Sequence, residues 1–127
     1  MPHLWALPTA LLFGAGGSAL SLYAFVSPRG AARVFGLDIE KSNSASSNDL
    51  ALQWVRIFGG RNLAIGLAIF AFYRQRMPRA VGTLLLCITA AGTVDTVVTG
   101  LWGVTDKAWG HAVGTAVLGL TGWALVM

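Results

Sequence analysis

Four ionisable side chains stand inside otherwise apolar runs, and these are the residues whose types could do chemistry. Arg56 and Arg61 lie within the stretch 49–73, DLALQWVRIFGGRNLAIGLAIFAFY; Asp95 lies within TAAGTVDTVVTGLW; His111 lies near the start of the last apolar run. A charge at membrane depth costs ~2.5–3.5 kcal/mol on insertion scales, so such residues pair with one another or serve a site. An aspartate held by arginine stays ionised and can orient or deprotonate a water or a hydroxyl. Histidine can supply a proton, and arginine can stabilise a developing alkoxide. The set is that of an acid–base site. No metal or cofactor is expected, because there is no HExxH, cysteine cluster, P-loop or G-x-S-x-G elbow.

The elements that must position these residues follow from composition. Apolar residues make up 55% of the chain and charged residues 11%, against roughly 25% charged in soluble domains. With a mean hydropathy of +0.66, this points to a multi-pass integral membrane protein, in the endoplasmic reticulum if the source is eukaryotic. The fold class expected is all-α: a four-helix membrane bundle, up-down-up-down, forming one domain over 1–127, with helices at about 4–26, 49–73, 80–101 and 107–127 and a short interfacial segment between the first two. That segment, with Arg29 and Arg33 beside Val34, Phe35 and Leu37, is amphipathic. The polar stretch KSNSASSN follows, with Ser47 or Asn48 expected to cap the second helix and Asp49 to sit in its first turn. Gly14, Gly17, Ser18 and Ser21 form small-residue rows suited to close helix packing, and Gly59–Gly60 reads the same way. The net charge of +4 does not imply nucleic acid, since two of the nine Lys and Arg lie in an apolar run and no aromatic-basic patch exists. Lys and Arg divide three (Arg74, Arg76, Arg79) against four (Arg29, Arg33, Lys41, Lys107) between the two sides, which leaves orientation open. Cys87 is alone, so no internal disulfide is possible, and it reads as a small core residue.

Depth brings the ionisable groups together. Arg56 lies ~10 Å, Asp95 ~9 Å and His111 ~6 Å from the side of the 27–48 loop, on three different helices. Asp49, Gln53, Arg56 and Gly60 form one stripe at i, i+4, i+7, i+11, expected to face the interior. Thr99 shares a face with Asp95, and Thr115 with His111. Tyr23 falls at similar depth, and Trp54 and Trp109 are candidates to line a mouth for an apolar ligand. Arg61 lies ~140° around its helix from Arg56. Either it faces another neighbour, or Gly59–Gly60 distorts the helix and swings it inward; Asn62 adds an amide beside it. The catalytic set expected is Asp95, Arg56, His111 and Arg61, with Tyr23, Asp49, Gln53, Trp54, Asn62, Thr99 and Trp109 binding substrate. The alternative for Arg56 and Asp95 is a purely structural lock between helices. His3, Asp38, Glu40, Asp106 and Lys107 read as solvated interface residues.

Pro28 with Phe35–Gly36–Leu37, then Arg56-x-x-x-x-Arg61-Asn62-x-x-x-Gly66, Asp95 and His111 form a pattern that resembles a family of small fungal four-helix membrane proteins carrying a domain of unknown function. Members occur in polyketide and terpenoid gene clusters, and some are thought to open epoxides by hydrolysis or cyclisation. The resemblance implies Asp95 as base and the arginines and His111 as polarising groups. The chain has a single deep aspartate, so a two-aspartate version needs Asp49. The function expected is a membrane enzyme of secondary metabolism acting on a lipophilic small molecule. A non-catalytic scaffold or complex subunit, or a small transporter, is the alternative. The partners expected are that lipophilic substrate, the lipid bilayer and a second copy of the chain, Gly110-x-x-x-Gly114 permitting a homo-oligomer.

Overall fold

The computed structural model describes residues 4–37, 39 and 45–127, without the side chains of 45–48. Its described residues form five helices and no strands: α1 (Ala6–Val26), α2 (Pro28–Val34), α3 (Ala45–Arg74), α4 (Pro78–Trp102) and α5 (Thr105–Val126). The long helices fall within a few residues of the spans expected, and the interfacial segment is the helix α2. Helix α3 begins earlier than expected. Ser47 and Asn48 lie inside it rather than capping it, and no acidic residue occupies its first turn, so Asp49 is not there. His3, Asp38, Glu40 and Lys41 lie outside the described residues.

Among the described residues, three helices are long and apolar enough to cross a bilayer: α1, the Asp49–Arg74 part of α3, and α4. They identify a membrane protein. At 22 residues α5 has the length. Its polar start, with Asp106, Lys107 and His111, keeps it outside that group.

Two antiparallel pairs build the molecule, and small residues set their distance. In the α1–α3 pair, Gly14 meets Ile69, Gly66 meets Ser18, and Gly59 meets Ala24 and the Ser21 backbone. In the α4–α5 pair, Gly82 and Gly122 lie against each other, and Gly92 lies against Thr115. Helices this close leave no room for hydroxyl partners across the interface. The side chains of Ser18, Ser21 and Thr96 instead donate to carbonyls one turn back on their own helix, at 2.7–2.8 Å. The two pairs meet at one end in a core of Ala6, Ala10, Ile69, Val81, Leu85, Ala124 and Leu125. Outward-facing Leu12, Leu67, Val97, Val113 and Leu120 are each more than half exposed, as lipid-facing residues would be.

The connections after α2 and after α3 begin with the same hydrogen-bond pattern. At the end of α2, the Gly36 N–H donates to Arg33 O and the Leu37 N–H to Ala32 O; at the end of α3, the Arg76 N–H donates to Tyr73 O and the Met77 N–H to Phe72 O. Each is a Schellman motif, which needs a left-handed residue in the turn. Gly36 takes φ 84° freely, whereas Arg76 takes φ 57° with a side chain in the way. Pro78 then starts α4, where its missing N–H costs nothing. Replacing Arg76 by glycine is expected to stabilise the protein by about 1 kcal/mol, relieving the left-handed cost. Thermal unfolding in detergent, compared with the wild type, checks it; an unchanged or lower midpoint refutes it.

Candidate functional site at the junction of two cavities

The turn 35–37 is where the site begins. Gly36 reverses the chain at the end of α2, and its carbonyl accepts the Val104 N–H at 3.1 Å. This ties the turn to the connection between α4 and α5, with Gly36 packed against Thr99 and Lys107. The 35–37 turn and the α4–α5 connection therefore lie together, at the end of the molecule opposite the apolar core.

Held there, Phe35 reaches inward. Its ring stacks on His111, with centroids 6.1 Å apart and planes within 6°, and meets Phe58 edge-on at 5.3 Å. Its carbonyl oxygen lies 3.2 Å from His111 Nε2. A carbonyl can only accept, so Nε2 is the nitrogen that carries a proton, and Nδ1 is the one left to exchange. Phe58 in turn carries Arg61, whose guanidinium carbon lies 4.4 Å from the ring centroid. Asp95 lines the same cavities as His111, and Arg61 lines the inner of the two.

Two cavities meet at this cluster. The outer one, about 510 Å³, lies under the 35–37 turn and is lined mainly by aromatic and aliphatic side chains, among them Trp54, Phe58, Val98 and Trp102. The inner one, about 270 Å³, runs between α1, α3, α4 and α5. Six glycines line it, 14, 17, 66, 92, 110 and 114; at 17, 110 and 114 a Cβ would meet no atom within 4 Å, and there the absence of side chains leaves space. Phe35, Asp95 and His111 belong to both cavities and form their shared wall.

The expected site residues divide accordingly. Asp95 and His111 stand together as the depth argument required. Arg61 and Asn62 line the inner cavity, and Trp54 and Thr99 the outer one. Arg56, Asp49, Gln53 and Trp109 are exposed and line neither, and the Tyr23 hydroxyl lies over Gly30 on α2. The stripe Asp49–Gln53–Arg56 thus turns outward, not inward as expected. Its rotation is set by Gly59 and Gly66, which press α3 against α1. At ~100° per residue this leaves Phe58, Ile65 and Ile69 facing the cavities and the stripe on nearly the opposite side. Helix length places Arg56 as well: ~20 residues cross the hydrocarbon, and counting back from Arg74 reaches about Val55, so Arg56 lies at the boundary where its side chain can snorkel out. Arg61 is exposed too, but it lies further from that boundary and lines the inner cavity. The helix runs unbroken through Gly59–Gly60, so no distortion is needed to bring it in. Sequence reasoning missed Phe35 and Phe58 as site residues. The signal for Phe35 was the glycine after it, which marks a reversal of the chain over the bundle.

Comparison with known proteins places the chain at family level. Residues 14–125 match the family model described as Domain of unknown function (DUF4267), and the chain belongs to that family. No curated protein matches it, and no solved structure does.

Substituting Gly36 by alanine tests the turn. A Cβ there would lie 2.7 Å from Lys107 Cβ and would carry an unfavourable positive φ. The variant is expected to lose about 1–3 kcal/mol of stability, seen as a lower unfolding midpoint, with the tryptophan fluorescence of the outer cavity altered. A variant as stable as wild type would show that the turn is not what holds the site.

Proposed function

We propose that this member of the DUF4267 family is a multi-pass membrane enzyme that opens an epoxide, by hydrolysis or by cyclisation, in a lipophilic small molecule. In this reading α5 is the fourth membrane span, making an up-down-up-down bundle; its exposed Val113 and Leu120 suit a lipid-facing side. The observation that carries the proposal is the shared wall: an aspartate and a histidine at the meeting point of two apolar cavities, with an arginine lining the inner one.

The chemistry follows from that arrangement. Asp95 takes a proton from a water or from a hydroxyl of the substrate, and the freed oxygen attacks an epoxide carbon. The carbon–oxygen bond of the ring breaks, and the ring oxygen takes a proton from Nδ1 of protonated His111. The proton on Asp95 returns to His111, so the product is a diol when water attacks and a cyclic ether when a substrate hydroxyl does. Arg61 offsets negative charge as the carboxylate and the alkoxide trade places. Apolar walls exclude bulk water and strengthen each of these interactions. The resemblance adds a setting to this proposal, an endoplasmic-reticulum enzyme of polyketide or terpenoid biosynthesis.

A second reading is a subunit of a larger assembly or of a homo-oligomer. The outward stripe Asp49–Gln53–Arg56 favours it, because polar side chains on an exposed membrane helix bind readily to another chain.

A panel of lipophilic epoxides, incubated with the protein in nanodiscs in ¹⁸O-labelled water, separates the readings. Wild type is expected to release labelled diols or unlabelled cyclic ethers. Asp95→Asn should lose at least about 100-fold of that rate while remaining monodisperse, and Arg61→Ala should lose more than Arg56→Ala. An inactive wild type over the whole panel rejects the enzyme reading. Collapse of Asp95→Asn on extraction assigns Asp95 to a structural lock.

A further inference from the structure

The two cavities differ in more than size, and the reactive groups stand between them rather than at the end of either. From the shared wall the inner cavity extends along the helices to Ile69 and Leu85, ten residues from Asp95 on α4 in the case of Leu85, or ~15 Å. Both residues are almost fully buried in the apolar core, so this end is closed. Between wall and end the lining is mostly glycine backbone and aliphatic side chains, with Phe13, Arg61, Asn62 and Thr115 among them, and the volume is about half that of the outer cavity. The outer cavity presents Trp54, Phe58 and Trp102, which offer aromatic faces to a flat or unsaturated partner.

From this we infer the shape of the ligand: an elongated lipophile whose oxygen-bearing centre is internal, flanked by a bulkier flat or unsaturated part in the outer cavity and a slender aliphatic tail in the inner one. This rests on reading the Asp95–His111 wall as the ligand's polar contact. A molecule with its oxygen at one terminus would fill only one cavity while that oxygen touched the wall. A molecule bulky on both sides of the oxygen would not enter the glycine-lined chamber. The inner glycines set this limit, and two of them offer a way to change it: a Cβ added at Gly17 or Gly114 meets no atom within 4 Å, so a side chain there projects into the chamber without displacing a helix.

Binding, not turnover, tests the inference. The probes are 1-(2-naphthyl)-1-alkanols with methyl, butyl and octyl tails, which carry a hydroxyl between a flat ring and a slender chain. Tryptophan quenching in nanodiscs gives Kd per mole fraction of lipid, which cancels the stronger partitioning of longer tails. Wild type is expected to bind the octyl probe at least tenfold more tightly than the methyl probe. In Gly114→Leu that gain should fall below threefold. Gly17→Leu, on the opposite wall, should do the same and serves if Gly114→Leu does not fold. A Kd independent of tail length in wild type overturns the inference, as does a folded variant that weakens the methyl probe as much as the octyl. Tail-dependent binding without epoxide turnover would leave the ligand shape standing and reject the enzyme; turnover without tail dependence would do the reverse.

Discussion

The tie between the 35–37 turn and the far end of α4 and α5 is the constraint on which the site depends. It consists of little: one backbone hydrogen bond from the Val104 N–H to Gly36 O, one bond from His111 Nε2 to Phe35 O, and the stacking of two rings. Its importance comes from where the partners stand. Phe35 follows α2, His111 is on α5 and Phe58 is on α3, so a single aromatic side chain joins two other parts of the chain to its own. Through the Phe35 carbonyl it also decides which nitrogen of His111 keeps a proton and which can exchange one. The geometry of the acid–base pair is in this sense set by a loop, with the helices supplying the groups.

Glycine plays two opposed roles around this point. Where helices touch, at Gly59 and Gly66 on α3 and at Gly82 and Gly122, its lack of a side chain brings backbones together. In the inner cavity, at Gly17 and Gly114, the same lack leaves a space that nothing fills. Composition cannot separate the two uses, because both come from the same atom being absent. What separates them is the rotation of each helix, and in a bilayer that rotation follows van der Waals packing of small residues, since lipid offers no hydrophobic drive to bury one face over another.

That principle explains the chief difference between the reading of the sequence and the structure. Polar residues at i, i+4 and i+7 on α3 invited an inward stripe, with Arg56 as the partner of Asp95. The glycine rows turned α3 the other way, and Arg61 took the place beside the site. The interior of a membrane helix of this length is also not its geometric middle. At 30 residues α3 exceeds what the hydrocarbon requires, so its first turns lie outside and Arg56 stands at the boundary.

The all-helical architecture, the long apolar spans, the short amphipathic α2, the close packing at Gly14, Ser18 and Ser21 on α1 and membership of a domain-of-unknown-function family were legible in the sequence, because each depends on local pattern: apolar length, spacing and turn residues. The common depth of Asp95 and His111 was legible too, because rise per residue is fixed in a helix. The azimuth of α3, the choice of Arg61 over Arg56, the entry of Phe35 and the two cavities were decided only by tertiary packing. The reason is that depth along a helix can be counted from one sequence alone, whereas the direction a side chain faces depends on which backbone the neighbouring helix presses against it.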